Sequence, residues 1–138
     1  MSEQNKALIK KMYDAFGRGD IQTILDNVTS DVVWGMEAPS TIAFAGTRHG
    51  VAGVTSFFSD LASTQTDMKL TTEFFIAEGD HVATLGRYSC TIKATGKTTD
   101  LAVGHFFTIR NGKVARFVDM TDTAAVAASY ESVSAAGR

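Results

Sequence analysis

A chain of 138 residues, 44% hydrophobic and 20% charged, has the make-up of one globular domain long enough to bury a core unaided. A net charge of −2, with no basic run longer than Lys10-Lys11, excludes a protein that grips nucleic acid through many phosphate contacts. Cys90 is the single cysteine, which excludes an internal disulfide and suits a reducing compartment, where it reads as a small buried hydrophobe.

The N-terminal stretch MSEQNKALIKKMYDAF has no apolar signal-peptide core, and no run reaches membrane-span length, so a cytoplasmic protein is expected. Ala7, Leu8, Met12, Ala15 and Phe16 recur at helical spacing and predict a helix over residues 5–17, ended by Gly17 and Gly19. Asp20 is placed to cap a second helix, IQTILDNV, and Ser30-Asp31 then breaks it. The strand VVWGM follows, with Val32, Trp34 and Met36 on one face. The irregular EAPSTIAFAGTRHG holds the only proline, Pro39. A third helix over VAGVTSFFSDLAS turns Val51, Val54, Phe57, Phe58 and Leu61 to one side.

Beyond that the chain is mostly strand. MKLTTEFFIAEG and HVATLGRYSCTIKA flank a turn at Glu78-Gly79-Asp80, and Thr95-Gly96-Lys97 turns into TTDLAVGHFFTIR. Asn111-Gly112 then turns into KVARFVDMT, Asp122 caps a short helix TAAVAASY, and the tail ESVSAAGR is expected to fray. Helices first and antiparallel strands afterwards make a single α+β domain over residues 1–138, with its core over 5–130. A curved sheet over the helices would enclose a pocket. On its middle strand Tyr88 and Cys90 share the inward parity, against Arg87, Ser89, Thr91 and Lys93.

The glycines form neither a G-x-G-x-x-G after a strand nor a Walker loop, and there is no G-x-S-x-G elbow. His49, His81 and His105 lack metal-ligand spacing, so neither a cofactor nor a metal is expected. His81 in its turn reads as solvated, and His49 as a loop or helix-capping residue. His105 differs, because it lies among Val103, Phe106 and Phe107. A histidine so placed is more often structural, but beside a carboxylate it can act as an acid or base near neutral pH. Asp119, in the next strand, is the candidate carboxylate.

Whether they meet depends on the hairpin. If Asn111-Gly112 is a complete two-residue type I′ loop, Arg110 pairs with Lys113, His105 falls opposite Val118, and Asp119 faces the other way. If Arg110 joins the loop and Gly112 takes the bulge position, His105 falls opposite Phe117 and Val103 opposite Asp119. The second arrangement is favoured because it keeps Arg116 off the face of Phe107, and it makes His105 and Asp119 diagonal neighbours.

With these elements in place, the opening ALIKKMYDAFGRGDIQTILDNVTSDVVW resembles the first two helices and first strand of the nuclear transport factor 2-like superfamily. FAGTRHGVAGVTSFFSDL and VGHFFTIRNGKVARFVDMTDTAA are similar to its SnoaL-like, ketosteroid isomerase-like branch, and the resemblance covers residues 7 to 128. It implies a cone of N-terminal helices in the concave face of a bent, mostly antiparallel sheet, with a ligand cavity and commonly a dimer. It also implies that His105 takes the isomerases' oxyanion-donor position. Their helix-one tyrosine falls at Met12, with Tyr13 about 100° around the helix. Their carboxylate base falls near Met36, with Glu37 on the opposite parity. In SnoaL-like cyclases a histidine–aspartate pair acts on an acidic carbon, which His105 and Asp119 resemble.

The expectation is therefore a cofactor-independent isomerase, cyclase or dehydratase that moves protons on an apolar carbonyl compound. His105 and Asp119 would be catalytic, and Trp34, Tyr88, Phe107, Phe117, Met12 and Met36 would contact the ligand. A homodimer could use the outward face bearing Phe106 and Val118. The alternative is a non-catalytic ligand-binding or dimerisation module of the same fold.

Overall fold

Helix α1 (Ser2–Gly17) opens the computed structural model, which describes residues 2–131. Its inward face is Ile9, Met12 and Ala15, each at most 3% exposed, with Tyr13 and Phe16 half-buried alongside. Ala7, expected on that face, is exposed: the stripe that packs starts from Ile9 and continues at the third, fourth and seventh positions after it. Asp20 caps α2 (Ile21–Leu25) as expected, accepting from the Thr23 amide at 3.1 Å and from its hydroxyl at 2.6 Å. That helix ends three residues early because Val28 already begins β1 (Val28–Met36), which also absorbs the presumed break at Ser30-Asp31.

The irregular segment after β1 contains a short strand that sequence periodicity does not reveal, β2 (Gly46–His49), paired antiparallel to β1. Ile42 and Phe44, at 2% and 4% exposure, fold that loop back into the core. Arg48 braces it, donating to Ala43 O at 2.8 Å and to Asp60 at 2.8 Å on α3 (Gly50–Thr64). His49 occupies the N-cap position of α3 without a side-chain capping bond. Val54, Phe57, Phe58 and Leu61 of α3 are buried, whereas Val51 is 39% exposed in the first turn.

The long strands follow: β3 (Gln65–Glu78), β4 (His81–Ile92), β5 (Thr98–Arg110) and β6 (Lys113–Thr121), then α4 (Thr123–Ser129), which Asp122 caps through the Ala125 amide at 3.0 Å. With β1 and β2 the long strands form an open six-stranded sheet in the order β2-β1-β6-β5-β4-β3, antiparallel except for β1 beside β6. The α+β class is as the sequence implied, with α1 and α3 against one face. The expected tail, ESVSAAGR, lies outside the described residues after Glu131. Among the described residues no helix is long and apolar enough to cross a membrane.

Two bulges in β3 re-phase its faces, after Thr66 and after Thr72. At the second, Gly86 of β4 approaches so closely that a Cβ there would sit 2.1 Å from Thr71 O, so only glycine fits.

The hairpin between β5 and β6 differs from both arrangements considered. Its loop is the two-residue form: Asn111 and Gly112 both have positive φ, 54° and 76°, and Arg110 pairs with Lys113. Ile109 then pairs with Val114, but Thr108 pairs with Arg116, so Ala115 is an extra residue in β6. The favoured three-residue loop is thus incorrect. The bulge at Ala115 does the same job differently, turning Arg116 outward to solvent and Phe117 and Asp119 inward. From there His105 lies directly opposite Asp119 rather than diagonal to it.

Candidate functional site

The strand registers lay out the inner face of the sheet row by row. One row runs Phe75, Thr84, His105, Asp119, Met36 across β3, β4, β5, β6 and β1. The next runs Ala77, Val82, Phe107, Phe117, Trp34. Period-two alternation has placed one imidazole and one carboxylate side by side within a field of aromatic and aliphatic groups.

These rows face a pocket of about 110 Å³ between the sheet and the helices. All eight residues singled out from sequence line it: Met12, Trp34, Met36, Tyr88, His105, Phe107, Phe117 and Asp119. Aromatic rings make up much of the wall. Trp34 lies 4.2 Å from Phe117 between ring centroids, and Phe117 lies 5.0 Å from His105. Cys90 also reaches the pocket, 4% exposed, its thiol pushed up by burial.

His105 Nε2 stands 3.6 Å from Asp119 Oδ1, and the two side chains are only 11% and 14% exposed. On the other side of the ring, the Tyr13 hydroxyl is 2.7 Å from His105 Nδ1 and 2.7 Å from Thr84 Oγ1. Tyr13 is the site residue that the sequence reading left aside. Its signal was present, because Tyr13 shares the helical stripe of Ile9, Met12 and Phe16, where a hydroxyl needs an inward partner.

Burial sets the protonation of the pair. It pulls the His105 pKa down to about 4, so the imidazole is neutral at physiological pH. It pushes Asp119 up to about 7, so the carboxyl group is poised between its two forms. Burial likewise drives the Tyr13 phenol well above its ordinary range, which makes it a hydrogen-bond partner rather than an anion.

A second polar group closes the far end of the pocket. The Tyr88 hydroxyl donates to Gln65 Oε1 at 2.5 Å, and Gln65 Nε2 donates to the Tyr130 hydroxyl at 3.0 Å. Thr64 Oγ1 lies 3.1 Å from the same hydroxyl, which ties the end of α4 to the start of β3. Tyr88 is therefore fully engaged within the protein, unlike Asp119.

Glu37 is exposed, outside the inner row that Met36 joins. Met12 and Met36 occupy the pocket wall where the isomerases' tyrosine and carboxylate were expected to fall. Arg87 points outward and pairs with Asp100 at 2.9 Å. His81 is exposed at its turn, beside Thr108.

Comparison with known proteins agrees with this architecture. No functionally curated protein matches the chain. An NTF2-like protein of unknown function from Burkholderia pseudomallei is 28% identical, covering 89% of this chain and 94% of its own, with a TM-score of 0.84. TerC, whose crystals were grown with polyporic acid, is 31% identical over 91% of this chain and 96% of its own, with a TM-score of 0.83. A protein from Jannaschia sp. CCS1, provisionally named a SnoaL-like polyketide cyclase, shares the fold at 18% identity and a TM-score of 0.82, covering 94% of each chain. The SnoaL-like domain model matches residues 9–117, and the chain belongs to that family.

Proposed function

We propose that this protein is an acid/base enzyme of the isomerase, cyclase or dehydratase kind, acting on a small, largely apolar carbonyl compound without a cofactor. The observation that carries the reading is Asp119: a carboxyl group buried in an aromatic pocket, its pKa about 7, with a neutral imidazole at 3.6 Å. A general base works best when its pKa lies near the working pH. Asp119 takes a proton from carbon next to the carbonyl. Tyr13 holds His105 by Nδ1 and so fixes the imidazole beside the carboxyl group. Trp34, Tyr88, Phe107, Phe117, Met12 and Met36 enclose the apolar part of the substrate. The crystallisation of TerC with polyporic acid supports a small organic ligand for this fold.

Deuterium washout from candidate aryl ketones tests the reaction. Asp119→Asn is expected to lower exchange by roughly a hundredfold or more, the usual worth of a positioned base, and His105→Ala to lower it less. Unchanged exchange in both variants removes the pair from the mechanism. Met12 and Met36, in the places of two isomerase catalytic groups, favour the alternative of a non-catalytic ligand-binding module. Tight ligands that are never turned over would decide for it.

The proposal extends to a homodimer in the cytoplasm. On the outer face of the sheet, Ile76, Ala83, Phe106 and Val118 form one row and Phe74, Leu85, Gly104 and Met120 the next. Phe74, Ile76, Phe106 and Met120 are 44%, 58%, 45% and 58% exposed, an apolar surface that a second copy would cover.

A further inference from the structure

Among the described residues, the buried side-chain polar atoms without a hydrogen-bond partner are Trp34 Nε1 and Asp119 Oδ1. Both side chains line the same pocket. In the parallel ladder Trp34 pairs with Phe117 and Met36 with Asp119, so the two lie on one face, one inward step apart on neighbouring strands. Phe117 at 4.2 Å, Phe58 at 5.8 Å and Phe57 at 6.0 Å hold the indole in place. A fixed ring cannot swing to find an acceptor elsewhere. For the carboxylate, His105 Nε2 at 3.6 Å is beyond hydrogen-bond reach.

The chemistry of these two atoms is complementary. An indole N–H only donates, and an ionised carboxylate oxygen only accepts. Buried groups of this kind are almost always satisfied, because leaving them bare is costly. What fits between them offers an acceptor to Trp34 and a donor, or an acidic C–H, to Asp119.

We propose that Trp34 Nε1–H anchors the carbonyl oxygen of the substrate, and that the pocket selects flat apolar ketones with a hydroxyl or an acidic C–H on the adjacent carbon. This rests on the acid/base reading of Asp119 and adds the partner of the oxygen. As Asp119 removes the proton, the C–H electrons become a C=C bond and the carbonyl π pair moves onto oxygen. The indole N–H meets that charge. Return of the proton from the Asp119 carboxyl group to carbon restores the carbonyl and the carboxylate. A donor already fixed by packing needs no reorganisation when the charge develops.

Trp34 is the only tryptophan, so its indole N–H gives one resonance in a ¹⁵N–¹H spectrum of the unsubstituted chain. The probes are ethylbenzene, acetophenone and phenacyl alcohol, which carry neither a carbonyl nor a hydroxyl, a carbonyl with only C–H on the adjacent carbon, and a carbonyl with a hydroxyl on that carbon. The carbonyl probes are expected to move the indole resonance downfield and ethylbenzene to leave it in place. Each added group should tighten binding roughly threefold to tenfold. Trp34→Phe, which keeps an aromatic ring but loses the N–H, should bind acetophenone no better than ethylbenzene. An unmoved indole resonance, equal affinity for all three probes, or failure of both carbonyl probes to bind overturns the proposal. Washout lost in Asp119→Asn with an unmoved indole sinks the anchor and leaves the acid/base reading standing. A shifted indole with no washout from any ketone supports the anchor and sinks the enzyme.

Discussion

Replacing Asp119 by asparagine should make folding stability climb steeply between about pH 4 and pH 6.5, a window where this pair leaves the parent chain almost flat. The imidazole of His105 has its pKa lowered from 6.5 to about 4, so its contribution to stability is full above pH 6.5 and is lost as pH falls through about 4. The carboxyl group of Asp119 has its pKa raised from 3.8 to about 7, so its contribution is full below pH 3.8 and is lost as pH rises through about 7. Inside the window the unfolded chain carries one proton on histidine and the folded chain carries one on aspartate. Equal proton counts give no slope. Asp119→Asn leaves the histidine to act alone: from about 4 to 6.5, at roughly 1.4 kcal/mol per pH unit, stability should rise by about 3 kcal/mol. His105→Gln leaves the aspartate alone and reverses the sign, with a fall of about 4 kcal/mol between 3.8 and about 7. Urea unfolding at half-unit pH steps measures both, and subtracting the parent curve removes the other ionisable groups. If both variants run parallel to the parent, burial does not set the charge state of this pair and the argument from desolvation fails.

Other perturbations read other parts of the structure. Tyr13→Phe removes the hydroxyl shared by His105 Nδ1 and Thr84 Oγ1, and should cost about 1–3 kcal/mol in urea unfolding while shifting the His105 ring nitrogens in ¹⁵N spectra. Gly86→Ala drives a Cβ into Thr71 O, and should lose about 2 kcal/mol or more by the same measurement. Phe106→Glu charges the apolar outer face, and light scattering should show a dimer in the parent and a monomer in the variant. A parent that is already monomeric at micromolar concentration rejects the second copy.

Much of the site could be read from parity alone. Alternation along VGHFFTIR and KVARFVDMT identifies which residues share a face with His105 and with Asp119, because a strand has only two faces. What parity could not supply was the relative phase of the two strands. The extra residue is an ordinary alanine, Ala115, with no glycine to mark it. Two demands together would have exposed it: Asn111-Gly112 asks for a two-residue loop, and Arg116 must stay out of the core. Only an added residue between them satisfies both. Tyr13 escaped for a different reason. Its partners are on β4 and β5, far along the chain, so its role depends on how α1 sits on the sheet. The strand Gly46–His49 is short and mostly exposed, so it has no apolar alternation to detect.

The bulge at Ala115 has a consequence for length variation. The two halves of β6 are half a pleat out of step, and this residue is the phase shifter between them. Deleting Ala115 would leave the turn untouched and every downstream residue chemically intact. It would also leave the faces unchanged: Arg116 would follow Val114 directly, still opposite Thr108, and Phe117 and Asp119 would still point inward in a strand without a bulge. Flattening the bulge with Ala115 retained is what would evert the strand, because Ala115 would then pair with Thr108, putting Arg116 under the sheet and the carboxylate in water. This position can change identity or be lost, so long as Arg116 stays opposite Thr108.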